Sequence, residues 1–204
     1  MRTIYSDVLC IGAGLAGERV ALAAAMEGFH TICLSVVPPR RSHSSAAQGG
    51  MQAALGNAVM GKGDSTDIHF ADTVKGSDWG CDQEVARIFA DSAPIVMREM
   101  AHWGVPWNRV VAGKHTYYKG GKPFEAEEES KHGLIHARAF GGTAKWRTCY
   151  TADGTGRSVL NTLDSKCLQY GVEIHDRMQA EALIHDGERC MGAIVRSLRD
   201  GELV

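Results

Sequence analysis

A glycine motif near the N-terminus constrains the fold of this chain more than any other feature. Gly12-Ala13-Gly14-Leu15-Ala16-Gly17 follows an apolar segment, Ile4 to Ile11, and precedes a helix-favouring run from Glu18 to Glu27. A G-x-G-x-x-G sequence between a strand and a helix is typical of a βαβ unit that binds a dinucleotide. We therefore predict an α/β fold with a parallel sheet.

Each glycine of this motif has its own expected role. Gly12 permits a tight turn, Gly14 lets a pyrophosphate approach the backbone, and Gly17 lets the helix pack closely on the strand. The pyrophosphate is expected at the N-terminus of the helix, where unpaired N–H groups and the helix dipole favour an anion. We assign six residues of the motif to the cofactor site: Gly12, Ala13, Gly14, Leu15, Ala16 and Gly17.

The second predicted strand, Thr31 to Leu34, ends in a departure from the usual dinucleotide fingerprint. An Asp or Glu is expected there, about 20 residues after the motif, to bind the adenosine ribose. This chain has Ser35, whose hydroxyl binds a ribose more weakly than a carboxylate does. The departure argues against a simple NAD dehydrogenase and leaves FAD open, with Ser35 as a candidate contact.

A run of small residues, Ser42 to Gly50, is the second candidate cofactor contact. Its composition alone is typical of a flexible surface loop, but backbone N–H groups in such a run also suit a flat or anionic ligand. Its position soon after the nucleotide-binding unit favours the second interpretation. We assign seven of its residues to the site: Ser42, His43, Ser44, Ala47, Gln48, Gly49 and Gly50.

The rest of the chain predicts further helices and a change of period towards the C-terminus. A helix is expected from Asp82 to His102, kinked or split at Pro94, and another from Thr155 to about Tyr170. The polar stretch from Val111 to Lys131 is expected to be irregular, with its acidic run as a solvated loop.

After Tyr170, a short strand leads into an antiparallel meander with turns at Asp186-Gly187 and Asp200-Gly201. The sequence stops within the third strand of this meander, from Glu202 to Val204. Since an unpaired edge strand is a rare place for a native protein to end, we expect the chain to be part of a longer one.

Composition and charge exclude several functional classes. The formal net charge of −2 provides no basic footprint for nucleic acid. No apolar run reaches the ~20 residues of a membrane helix, and the N-terminus lacks a signal-peptide core, so we expect a cytoplasmic location. The six cysteines form no C-x-x-C pair, and His132 and His136 lack the H-E-x-x-H pattern, so we expect no metal or iron–sulfur site in this chain.

Several motifs together carry a resemblance to a known family. They are Gly12-Ala13-Gly14-Leu15-Ala16-Gly17, Arg41-Ser42-His43-Ser44 with Ala46-Ala47-Gln48-Gly49-Gly50, Asp72-Thr73-Val74-Lys75-Gly76-Ser77-Asp78-Trp79, Trp103-Gly104-Val105-Pro106-Trp107, and Arg147-Thr148 with Ala152-Asp153-Gly154-Thr155-Gly156. On these motifs the chain resembles the N-terminal part of the flavoprotein subunit of quinol:fumarate reductase and succinate dehydrogenase. Met51-Gln52 and the run from Lys75 to Asp82 look most like the menaquinol-linked bacterial fumarate reductases.

The resemblance implies an FAD-binding Rossmann-like domain, with a parallel sheet, helices and a small antiparallel crossover meander, that is incomplete at its C-terminus. It implies that residues 1–204 are the N-terminal part of that domain, and that the capping (substrate) domain and the C-terminal helical domain lie outside this chain. It also implies that His43 is covalently bonded to the 8α-methyl carbon of the flavin, while hydride moves between the flavin and fumarate or succinate. No catalytic residue is expected within this chain.

The same resemblance implies partners and a location. Electrons would be exchanged with menaquinol through iron–sulfur clusters in a partner subunit and a cytochrome b-type membrane anchor, as in anaerobic respiration. The subunit would be peripheral, on the cytoplasmic face of the inner membrane. Two alternatives stay open: a relative with non-covalent FAD, such as L-aspartate oxidase or adenylylsulfate reductase, and an FAD-binding fragment that is inert by itself. The relatives with non-covalent FAD lack the histidine, so His43 discriminates against them.

Overall fold

The computed structural model describes residues 2–119, 121–129 and 133–204. Its elements, in chain order, are β1 (Val8–Ile11), α1 (Leu15–Met26), β2 (Thr31–Ser35), β3 (Met51–Gln52), α2 (Thr66–Gly76), α3 (Gln83–Trp103), β4 (Gly113–Lys119), β5 (Lys122–Glu128), β6 (Ala137–Arg138), β7 (Thr148–Cys149), α4 (Thr155–Gln169), β8 (Glu173–Asp176), β9 (Met178–His185) and β10 (Cys190–Ser197). The chain forms two compact units. The first unit comprises the chain up to Ala47 and from Gly156 onward, and the second unit is Gln48–Thr155.

A three-stranded parallel sheet organises the first unit. Its strand order is β1-β2-β8, so the central strand is β2, and every residue of β2 is buried. A central parallel strand covered on both faces is expected to be continuously apolar, as Ile32, Cys33 and Leu34 are. The predicted parallel α/β fold is therefore confirmed.

An antiparallel hairpin follows the parallel sheet in the same unit. Strands β9 and β10 pair with each other, and Val195 of β10 packs in one core cluster with Ile32 and Leu34 of β2. Val195 also exchanges two backbone hydrogen bonds with Val204, each 2.8 Å long. The predicted antiparallel meander, including its third segment, is thus present.

Helices α2 and α3 begin and end in the second unit where local sequence signals place them. Ser65 caps α2 by accepting a hydrogen bond from the Ile68 N–H, and Asp82 caps α3 by accepting from two backbone N–H groups. Gly104 ends α3 in the left-handed conformation at φ +107°. Pro94 lies inside α3 and is buried there, but it does not split the helix. The missing hydrogen bond is therefore tolerated within one continuous helix.

The described residues between Val111 and Lys131 form a hairpin, which corrects the expectation of an irregular segment. Glu125, Glu127 and Glu129 of the acidic run are exposed, as expected, but Glu128 is not. Strands β4 and β5 pair in register over their whole length. Glu128 in the acidic run is only 3% exposed, and both of its carboxylate oxygens accept from the Val59 N–H, at 2.9 and 3.1 Å. Side chains along β5 alternate between exposed and less exposed positions, as they do in a half-buried strand. The high charge of the run concealed this strand in the sequence.

A second small sheet completes the second unit. Its strand order is β3-β7-β6, with antiparallel pairs throughout. Within the part of the chain that the structure describes, no helix has both the length and the apolar character needed to cross a membrane.

Candidate functional site

The glycine motif forms a tight turn between β1 and α1. Gly12 has φ +114°, a left-handed conformation that favours glycine, and its N–H donates to Leu34 O at 2.7 Å. A Cβ on Gly17 would lie 1.6 Å from Gly12 O. No side chain fits at that distance, so the close approach predicted for Gly17 is present.

Ser44 joins the glycine motif to the run of small residues within the first unit. Its Oγ accepts a hydrogen bond from the Leu15 N–H at 3.1 Å. A Cβ on Gly14, the N-cap residue of α1, would lie 3.0 Å from the same oxygen. Two segments that are separate in the sequence therefore meet at the N-terminus of α1.

The segment around His43 is a helical turn. Residues His43–Ala46 form a short 3₁₀ helix, and the Ser45 Oγ donates to Ser42 O at 2.9 Å. The N-terminus of α4 contacts the end of this turn, where the Gly156 N–H donates to Ala47 O at 2.8 Å. The turn is therefore held at two helix N-termini, each of which carries a partial positive charge.

Unpaired polar groups on this turn fit a bound cofactor. The Ser42 Oγ is buried and has no hydrogen-bond partner among the residues that the structure describes, whereas buried hydroxyls are normally paired. His43 is exposed, so its ring is accessible to a ligand. Together with the helix N-terminus at Gly14, these features suit a ligand that carries a pyrophosphate and further acceptor groups.

Ser35 lies at the carboxyl end of β2, where ligands of parallel sheets bind. It is 7% exposed, and it pairs across the sheet with Asp176 of β8. The Asp176 carboxylate accepts a hydrogen bond from Arg199. The predicted ribose contact is thus at the expected edge of the sheet.

The remaining predicted residues, Gln48 to Gly50, lie in the second unit and are held by an arginine that the sequence analysis did not identify. The Arg138 guanidinium donates to Gln48 O at 2.8 Å and to Gly49 O at 2.7 and 3.2 Å. Gly50 has φ +117°, and a Cβ there would lie 2.5 Å from Cys149 O. The Gly-Gly backbone is therefore fixed both by hydrogen bonds and by close packing.

A cavity of about 440 Å³ in the first unit does not include the predicted site residues. Its walls are mainly apolar residues of the sheet and of the β9–β10 hairpin.

A cavity of about 650 Å³ in the second unit is lined by Gly50 and by His69. The His69 Nδ1 is buried without a partner among the described residues. Burial lowers the pKa of His69, and Arg147 lowers it further. The His69 ring is therefore favoured in its neutral form.

One buried acidic side chain, Glu18, directly follows the glycine motif in the chain. Glu18 in the first turn of α1 is 0% exposed, and neither carboxylate oxygen has a partner in the described chain. Burial raises the pKa of its carboxyl to about 8, Asp164 adds to the rise, and Arg40 opposes it. Glu18 is therefore mainly protonated at neutral pH.

The histidine pair considered for zinc does not support a metal site in the part that the structure describes. His132 lies outside the described residues. His136 stacks on Tyr117, and its Nδ1 lies 3.0 Å from the Tyr150 Oη. Within residues 2–119, 121–129 and 133–204, no three His, Cys, Asp or Glu side chains are grouped to hold a metal ion.

The chain is similar to flavoprotein subunits from several organisms. It is 52% identical over 204 residues to the fumarate reductase flavoprotein subunit of Helicobacter pylori, and the aligned region covers 100% of this chain and 29% of that protein. It is 39% identical over 206 residues to the succinate dehydrogenase flavoprotein subunit of Rickettsia felis, with coverages of 97% and 30%. A solved structure of quinol fumarate reductase from E. coli matches with a TM-score of 0.79 at 33% identity, over 100% of this chain and 31% of that one.

These comparisons agree with the geometry of the glycine turn. The chain spans less than a third of the length of these three relatives, with shares of 29%, 30% and 31%. The model of the FAD binding domain matches residues 7–204, which is nearly the whole chain. This chain therefore belongs to the FAD binding domain family.

Proposed function

We propose that this chain is the N-terminal part of the FAD-carrying catalytic subunit of a fumarate reductase or succinate dehydrogenase. The observation that carries the proposal is the hydrogen bond from the Leu15 N–H to Ser44 Oγ, which joins the dinucleotide-binding turn to the His43 turn. When bound, FAD supplies the capacity to exchange a hydride with fumarate or succinate. The identity to named flavoprotein subunits supports this assignment.

The proposed cofactor contacts follow from the geometry of each segment. The pyrophosphate lies at the N-terminus of α1, from Gly14 to Gly17, because a helix N-terminus favours an anion. The Leu15 N–H in this range already donates to Ser44 Oγ, so the neighbouring N–H groups are the proposed donors. Ser35 binds the adenosine ribose, and the flavin ring follows the chain from Ser42 to Gly50. The flavin ring carries hydrogen-bond acceptors, so the unpaired Ser42 hydroxyl is available to it as a donor.

His43 is the proposed site of covalent attachment, through one ring nitrogen and the 8α-methyl carbon of the flavin. A neutral imidazole is a competent nucleophile, and His43 is exposed at the start of its helical turn. An electron-withdrawing imidazole on the ring raises the reduction potential of the flavin. A raised potential is what succinate oxidation requires.

The parent protein is proposed to contain parts that this chain lacks. A capping domain and the returning part of the flavin domain supply the groups that bind and protonate the dicarboxylate, and a C-terminal helical domain follows them. An iron–sulfur subunit and a cytochrome b-type membrane anchor connect the flavin to menaquinol. We propose that the subunit is peripheral, on the cytoplasmic face of the inner membrane.

The covalent bond is tested by replacing His43 with serine in the full-length flavoprotein. Wild-type protein is expected to keep a fluorescent flavin on a denaturing gel after acid precipitation, and His43→Ser is expected to lose it. FAD should stay bound without the covalent bond, because the glycine turn is unchanged. Succinate oxidation is expected to be lost and fumarate reduction with an artificial donor to be partly kept, since each ~30 mV of lost potential is about 1.4 kcal/mol in a two-electron couple.

The matched control is His30→Ser in the first unit, where His30 Nε2 lies 2.9 Å from Glu173 Oε1. This variant is expected to keep the covalent flavin. Release of the wild-type flavin in acid would refute the covalent bond and favour the relatives with non-covalent FAD. Wild-type protein that binds no FAD in any form would refute the proposed function itself.

A further inference from the structure

Arg138 makes a set of contacts that neither the motif analysis nor the comparisons assign to a function. It ends β6, on the far side of β7 from β3 in the small sheet of the second unit. Its guanidinium carbon lies 4.6 Å from the centroid of the Tyr150 ring, and its N–H groups reach the carbonyl oxygens of Gln48 and Gly49. A flat, charged group is thus held between an aromatic ring and two peptide carbonyls.

The contacts to the carbonyl groups determine where the neighbouring amides point. A trans peptide is planar, and its C=O and N–H groups point in opposite directions. Because Arg138 binds Gln48 O and Gly49 O, the N–H groups of Gly49 and Gly50 point away from the guanidinium. Among the residues that the structure describes, none accepts a hydrogen bond from either amide. The two amides are therefore free to bind an acceptor.

Three features make this arrangement rigid. Two N–H groups of Arg138 share the Gly49 carbonyl, and a charged donor makes stronger hydrogen bonds than a neutral one. The Tyr150 ring confines the guanidinium plane, and the Tyr150 Oη is itself within hydrogen-bond distance of His136 Nδ1, at 3.0 Å. The Gly50 backbone is closely packed, because a Cβ at this position would lie 2.5 Å from Cys149 O.

We propose that Arg138 is a positioning residue for the flavin. Arg138 binds the Gln48 and Gly49 carbonyl groups, so that the Gly49 and Gly50 N–H groups point towards hydrogen-bond acceptor atoms of the flavin ring. The inference rests on the proposed function, since it takes the flavin as the ligand of this segment. Preorganised backbone N–H groups stabilise negative charge that develops on a bound group. Reduction adds negative charge to the flavin, so the pair of amides favours the reduced form.

The experiment replaces Arg138 in the full-length flavoprotein and measures the flavin reduction potential by redox titration. Arg138→Met keeps an unbranched stem but removes every donor. The preference of the site for reduced over oxidised flavin is expected to fall about tenfold, which corresponds to a potential lower by ~30 mV in a two-electron couple. Arg138→Lys keeps the charge but cannot bind the carbonyls as a planar fork, so it is expected to restore the potential only in part.

The matched control is Arg87→Met, also in the second unit. The Arg87 guanidinium lies 4.2 Å from the centroid of the Phe70 ring and pairs with Asp67 and Asp91, but it contacts none of the carbonyls from Gln48 to Gly50. This variant also loses an arginine that lies over an aromatic ring, but the lost arginine binds none of these carbonyls. The flavin reduction potential of Arg87→Met is expected to equal that of the wild type.

Each outcome decides between the proposals. An unchanged potential in Arg138→Met, or complete restoration by lysine, would overturn the positioning role, the second because charge alone would then suffice. If the methionine variant fails to retain FAD, the lysine variant decides by itself: a lowered potential supports the inference and a wild-type potential refutes it. Absence of flavin from the wild-type protein would instead contradict the proposed function, and with it the ligand assumed here.

Discussion

Replacing Arg147 by methionine is expected to lower the free energy of unfolding by about 3–5 kcal/mol, the cost of removing one partner from a buried ion pair. The Arg147 and Asp64 side chains are both 0% exposed. The guanidinium donates to the two Asp64 oxygens at 2.8 and 2.9 Å and to Asp72 Oδ2 at 2.7 Å. Burial alone lowers the pKa of Arg147, but its hydrogen bonds to both carboxylates outweigh that effect and raise it. Removing the guanidinium leaves two carboxylates without their cation.

Urea denaturation of the variant and the wild type measures this loss. Arg196→Met is the matched control, because the Arg196–Glu181 pair is 46% and 34% exposed and an exposed pair contributes about 0–1 kcal/mol. A second variant, in which Asp64→Leu and Asp72→Asn accompany Arg147→Met, is expected to recover part of the stability. Equal losses for Arg147→Met and Arg196→Met would show that the buried network is not a major source of stability.

Replacing Glu18 by glutamine is expected to remove a pH-dependent loss of stability. The pKa of Glu18 is about 8 in the folded chain, against a usual value of 4.5. As pH rises through this window, the unfolded chain releases the proton first, so the free energy of unfolding falls. Since one pKa unit corresponds to about 1.4 kcal/mol, the total loss by pH 8 is on the order of 4–5 kcal/mol. Glutamine has no proton to release, so it avoids this loss.

The measurement is the free energy of unfolding of Glu18→Gln and the wild type at several pH values. The two should be nearly equally stable near pH 4.5, and the variant should become the more stable one as pH rises towards 8. Glu27→Gln is the control, because Glu27 is an exposed residue at the end of the same helix. If wild type and Glu18→Gln showed parallel pH profiles, the carboxyl of Glu18 would not be the group responsible.

Local signals in the sequence were sufficient for most of the secondary structure. Ser65 and Asp82 cap α2 and α3, because their side chains accept from N–H groups two or three residues ahead. Contacts over so short a separation can be inferred from the sequence. The acidic run misled the prediction because burial of Glu128 depends on the Val59 amide, 69 residues away. Pro94 was expected to kink or split α3, because proline removes one backbone hydrogen bond. The helix is continuous across Pro94, so the absence of this one bond is tolerated.

The sequence by itself determined the dinucleotide-binding turn of this protein, because Gly12 and Gly17 act within a few residues of each other and only glycine fits both places. It also determined that His43 lies in a run of small residues that follows the nucleotide-binding unit in the chain. The tertiary structure decided which groups meet. Ser44 reaches the Leu15 amide across 29 residues, and Arg138 reaches the Gly49 carbonyl across 89. Contacts over such separations have no periodicity or spacing in the sequence, because they arise only when the packing of whole elements brings the groups together.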